Sequence, residues 1–99
     1  MTDGITLASR VQTNDDVVFR DLQGELVLLN LKTGVYFGLD PVGSRIWQLI
    51  QEHQFLHKVL HAVVEEYEVT ESRCQQDLLR FVAALRANGL VDVNRGPAA

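Results

Sequence analysis

The sequence predicts one α+β domain in which a three-stranded antiparallel sheet is followed by three helices. Three observations point there. Up to residue 39 the apolar residues come in short runs broken by turn residues. Asp40-Pro41 then has the capping and first-position chemistry of a helix start, and beyond it the apolar residues recur at i, i+3, i+4 and i+7. The 99 residues suffice for one core and leave no room for a second domain. With 46% hydrophobic and 22% charged residues, the composition is that of a globular chain and not of a disordered tail.

Residues 1–16 are weakly patterned. Ile5, Leu7 and Val11 suit either an extra strand or a strap, and Asn14-Asp15-Asp16 reads as a turn. Val17-Val18-Phe19-Arg20-Asp21 is the first strand of the sheet, and Gln23-Gly24 turns it into Leu26-Val27-Leu28-Leu29. That second run is too short for a helix and apolar at every position, so it is the middle strand. Lys32-Thr33-Gly34 forms the next turn, Gly34 supplying the positive φ that side chains resist. Residues 35–39, Val-Tyr-Phe-Gly-Leu, return as an aromatic, β-branched edge strand. Because the middle strand is apolar on both faces, its second face calls for a cover, the N-terminal strap or another protein, unless its aliphatics simply stand exposed.

The first helix is expected over residues 41–51, with Val42, Ile46, Leu49 and Ile50 on one stripe and Trp47 beside it in the core. The second carries Leu56, Val59, Leu60, Val63, Val64 and Tyr67 on one face. The third opens at Thr70 with Glu71 in its first turn and closes at Asn88-Gly89. Its stripe is Cys74, Leu78, Phe81, Val82 and Leu85, widened by Leu79 and Ala83 beyond what one core contact needs. Residues 90–93 can form a last short strand, and 94–99 read as a flexible tail.

Several functions are disfavoured. Thirteen acids against nine lysines and arginines give a formal charge of −4, which opposes binding to a phosphate backbone. A winged-helix DNA-binding regulator is the alternative that three helices and a small sheet leave open. Its third helix would offer Arg73, Arg80 and Arg86, offset by Glu71 and Asp77. The single Cys74 rules out an intramolecular disulfide and a cysteine-built zinc site, and on the inward stripe it reads as a small hydrophobe. No signal peptide and no membrane-length apolar run is present, so a cytoplasmic protein without membrane partners is expected. Catalysis lacks a phosphate loop, an HExxH and a GxSxG. His57, His61 and Glu65 stand at i, i+4 and i+8, yet three positions spread over two helical turns converge poorly on one ion, and a solvated face is the ordinary reading. Neither a metal nor a cofactor is expected.

What remains is the edge at residues 35–39. An unpaired strand edge that is neither bulged nor covered is a template for an extended peptide, which adds as a further strand and sends alternate side chains into a groove walled by a helix. The third helix, with its extra apolar width, suits that wall.

The run Leu28-Leu29-Asn30-Leu31-Lys32-Thr33-Gly34-Val35-Tyr36-Phe37-Gly38-Leu39-Asp40, then Gly43, Ile46-Trp47, Leu85 and Gly89-Leu90-Val91, resembles the PqqD family of leader-peptide recognition domains. The likeness is greatest to the stand-alone members that accompany lasso-peptide biosynthesis enzymes. It spans residues 17–93, with 1–16 preceding as the strap or extra strand. The resemblance implies a winged-helix-like fold without catalytic activity. It also implies binding of the leader of a ribosomally made precursor peptide, antiparallel to the third strand and against the third helix. In lasso systems the leader carries a tyrosine and a proline, and the domain works with a separate leader peptidase and an ATP-dependent cyclase. Carried onto this chain, the backbone of Gly34, Val35, Tyr36 and Phe37 would pair with the leader, Val35 and Phe37 flooring the groove. Cys74, Asp77, Leu78 and Phe81 would wall it.

Overall fold

The computed structural model describes residues 4–94. Its elements are β1 (Arg10–Thr13), β2 (Val17–Leu22), β3 (Glu25–Asn30), β4 (Tyr36–Gly38), α1 (Pro41–His53), α2 (Leu56–Tyr67), α3 (Glu71–Ala87) and β5 (Val91–Asn94). β2, β3 and β4 form the expected antiparallel sheet with β3 in the middle, and β1 pairs with β5 in a second, two-stranded sheet. The α+β expectation holds, with this small second sheet added.

Turn chemistry sets the register of the main sheet. Gln23 and Gly24 both have positive φ, 60° and 90°, the two-residue turn whose twist matches a hairpin. It makes Leu22 and Glu25 a hydrogen-bonded pair, so by alternation the backbone groups of Leu26, Leu28 and Asn30 turn away from β2 towards β4. Leu39 N accordingly donates to Leu26 O at 2.8 Å and Asn30 N to Val35 O at 3.0 Å. The side chains of Leu26 and Leu28 are buried under the helices, and Val27 and Leu29 are half-buried on the opposite face.

Asp40 caps α1, its side chain accepting from Gly43 N at 2.7 Å with Pro41 opening the first turn. Ser44 Oγ then accepts from Leu26 N at 2.8 Å and donates to Leu39 O, tying α1 to the sheet. The core stripe of α1 is rotated from the expected one. Gly43, Ser44, Trp47, Leu49 and Ile50 are buried, with Trp47 at 0% exposure, and Val42 is 46% exposed. A stripe drawn through large apolar residues missed Gly43 and Ser44, which are buried because a small residue and a strand-capping hydroxyl are needed there. The exposed Phe19 ring packs edge-on to Trp47 at 5.9 Å.

α3 ends as its sequence predicts. Gly89 has φ 71°, with Leu90 N donating to Leu85 O and Gly89 N to Arg86 O, the Schellman arrangement. Thr70 takes the N-cap position without a side-chain bond. Asn30, only 4% exposed, joins this helix end to the β3–β4 turn. Its Nδ2 donates to Gly89 O at 2.9 Å and its Oδ1 accepts from Lys32 N and Thr33 N.

The described N-terminal residues pair with β5 and run along the start of α2, and they do not lie over the second face of the main sheet. Phe55 at the N-cap of α2 gives no side-chain bond, and the carbonyls of Ser9 and Leu7 accept from Leu56 N and His57 N instead. Val11 N reaches Gln54 O, and β1 pairs with β5 from Arg10↔Asn94 to Thr13↔Val91. With residues 5–13 used there, the outer sheet face, with Val18, Leu22 and Tyr36, remains exposed. The tail predicted over 94–99 lies outside the described residues apart from Asn94, which closes β5.

Candidate functional site

Where β4 runs into α1, a cavity of about 480 Å³ opens between the strand end and the helices. β4 and the residues after it contribute Phe37, Gly38, Leu39 and Asp40. α1 contributes Val42, Gly43 and Ile46, and α2 with its following turn adds Val63, Tyr67 and Val69. The far wall is α3, through Arg73, Cys74, Asp77, Leu78 and Phe81. Gly43 permits this closeness: a Cβ there would meet Asp40 Oδ1 at 3.1 Å and the Phe81 ring at 3.5 Å.

Five of the eight residues expected at the site, Phe37, Cys74, Asp77, Leu78 and Phe81, come together around this groove. Gly34, Val35 and Tyr36 do not line it. Gly34 forms the turn, with φ 76° and its N–H donated to Asn30 O; Val35 stands exposed beyond the strand's end; and the Tyr36 side chain lies on the outer face, 70% exposed. β4 itself is three residues long, not five.

The hydrogen-bond alternation refines which groups of the edge are free. Val35 O and Leu39 N are taken by β3, and Phe37 stands opposite Leu28 in the hydrogen-bonded set between them. The backbone groups of Tyr36 and Gly38 therefore point away from the sheet, towards whatever lies along the edge. Side chain and backbone divide the work: Phe37 faces the groove while its neighbours on either side present amide and carbonyl.

Sequence reasoning missed Val42, Ile46, Val63, Tyr67, Val69 and Arg73 as lining residues. Four of the apolar ones, Val42, Ile46, Val63 and Tyr67, fall on the predicted core stripes, since periodicity marks a face and does not say where the face runs off the core. Tyr67 and Val69, 40% and 43% exposed at the end of α2, carried the usable signal of large apolar residues at a helix terminus.

Chemically the groove is mostly apolar. Burial, then the Asp77 charge, raises the Cys74 pKa above its ordinary 9.0, so the thiol stays protonated and weakly nucleophilic. Among the described residues no three histidine, cysteine or acidic side chains gather as a metal site, and His57 turns its Nδ1 towards Leu7 O at 3.4 Å.

A family model described as Coenzyme PQQ synthesis protein D (PqqD) matches residues 25–91. Among solved structures, TbiB1 in complex with the TbiA(beta) leader peptide is 41% identical over 82% of this chain and 94% of its own, with a TM-score of 0.79. Lasso peptide synthetase B1 complexed with the leader peptide superposes with a TM-score of 0.77, covering 84% of this chain and 98% of its own. At 22% identity it speaks for the fold. No curated protein matches the sequence.

Proposed function

The chain belongs to the PqqD family, and from that premise we propose that it binds the leader of a ribosomally made precursor peptide by strand addition, serving lasso-peptide biosynthesis. The observation that carries the reading is an unpaired strand edge lying directly beside an apolar groove, in a chain 41% identical to a protein solved with a leader peptide.

The leader runs antiparallel to β4, exchanging hydrogen bonds with Tyr36 and Gly38. Its residue opposite Phe37 falls in a non-hydrogen-bonded pair, where side chains approach most closely, and enters the groove towards Leu78 and Phe81. Micromolar affinity needs about −8 kcal/mol. Strand bonds at two residues and two or three buried apolar anchors supply that, after the few kcal/mol spent in ordering the leader. The domain performs no chemistry of its own. It presents the tethered precursor to a separate leader peptidase and cyclase, raising the local concentration of the core peptide at those enzymes. The binding surface lies within residues 17–93, with the strap as a brace. No helix among the described residues is long and apolar enough to cross a membrane, consistent with action in the cytoplasm.

The test is a titration of fluorescently labelled precursor leader into the purified chain at low and high salt. Saturable binding that changes only mildly with salt is expected, because the anchors are apolar. Absence of binding, or binding only at low salt, would remove the reading.

A further inference from the structure

The groove is apolar except at its lip, and the lip carries charges of both signs. Asp40 is already committed to the Gly43 amide. The side chains of Arg73 and Asp77 have no hydrogen-bond or ion-pair partner among the described residues, not even each other, although both are exposed and stand one helical turn apart on α3. Two unmatched opposite charges over an otherwise apolar site are a means of reading charge order in a ligand.

Two geometric facts turn this into a sequence rule. The first is spacing. Four residues of helix advance about 6 Å, close to the roughly 6.7 Å spanned by two residues of extended chain. Residues two apart in a strand also share one face, so a bound peptide can present one side chain to Arg73 and another to Asp77.

The second is direction. The C-terminal end of α3 is fastened near the start of β4, through Asn30, which bonds to Gly89 O with its side chain and to Val35 O with its amide. Further back along α3, Phe81 packs at Gly43, just past the end of β4. α3 and β4 therefore run in opposite senses, and a peptide antiparallel to β4 runs parallel to α3. Its residue near Arg73 precedes its residue near Asp77.

We propose that Arg73 and Asp77 select leader peptides carrying an acidic residue two positions before a basic one, and so fix the direction and register of binding. The inference rests on the strand-addition reading above and adds the chemistry of the segment recognised. Exposed pairs are individually weak. Reversing both replaces two attractions with two repulsions, for an expected difference of roughly tenfold in affinity.

The experiment pans a phage-displayed random 16-residue peptide library against the full chain and against a charge-swapped double variant, Arg73→Asp with Asp77→Arg. Both positions are exposed helix sites, and circular dichroism verifies that the variant is folded. Wild type should enrich acidic-x-basic peptides and the variant basic-x-acidic ones, each selected peptide binding the other protein roughly tenfold more weakly. Enrichment of one shared consensus without charge order would overturn the proposal and leave peptide binding intact. A basic-x-acidic consensus on wild type would overturn it as well, by showing the opposite direction. Failure to enrich any peptide on wild type would sink the strand-addition reading itself, and the proposal with it.

Discussion

Asn30 shows how much one residue can hold. It is buried, it ends β3, and its side chain bonds at once to two amides of the β3–β4 turn and to a carbonyl at the end of α3. Asn30→Ala leaves the Gly89 carbonyl without its partner and frees the turn that aims β4. The expected cost is about 2–3 kcal/mol, read as a lower urea midpoint at unchanged m-value. Cys74 makes the second prediction at this scale. Its folded pKa is raised, so the stability gained from a neutral buried thiol is complete below the unfolded value of 9.0 and is lost as pH rises through the higher folded value. Alkaline unfolding curves should show that loss, and Cys74→Ala should flatten it. At neutral pH iodoacetamide should label the folded chain more slowly than the urea-unfolded chain.

Among the elements, β4 is the shortest strand of its sheet and the most exposed to use. Tyr36→Pro removes an outward amide without touching the bonds to β3, and an edge strand tolerates that change. The variant should stay folded and bind leader about five- to tenfold more weakly, the worth of one hydrogen bond. A folded Tyr36→Pro that binds as well as wild type would mean that the peptide does not pair at Tyr36. Element identities were legible because their causes are local: the Gln23-Gly24 and Gly34 turns, Asp40-Pro41 and Asn88-Gly89 all occupy the positions their chemistry suits. Helix rotation was less legible. On α1, Ser44 bonds to the sheet and Gly43 packs against α3, and hydrophobic periodicity passes over both, so the predicted stripe puts Val42 in the core although it lines the groove. On α3 the predicted apolar stripe coincides with the groove lining at Cys74, Leu78 and Phe81.

For the whole molecule, the least legible feature is the most distant contact. Val11 is an ordinary residue in a weakly patterned stretch, and nothing local says that it pairs with Val93 or that the carbonyls of Leu7 and Ser9 complete the start of α2. The strap leaves the outer sheet face bare because its own backbone is needed at the other end of the molecule. Its removal should therefore act on stability and not on the groove, whose lining includes none of residues 4–13. Ile5 and Val11 are fully buried, each worth about 1.5–3 kcal/mol, and the amides of Leu56 and His57 lose their acceptors. Deleting residues 1–13 should thus cost about 4–6 kcal/mol, comparable to the whole stability of many small domains. Thermal unfolding followed at 222 nm should show a transition lowered by 15 °C or more, roughly, for a domain of this size. Saturating leader should recover part of that loss, since a ligand that binds only the folded chain stabilises it by mass action. A truncated chain as stable as the full one would mean that the β1–β5 sheet adds nothing to the fold. If it were equally stable but unable to bind leader, the strap would belong to the binding surface and not to the brace.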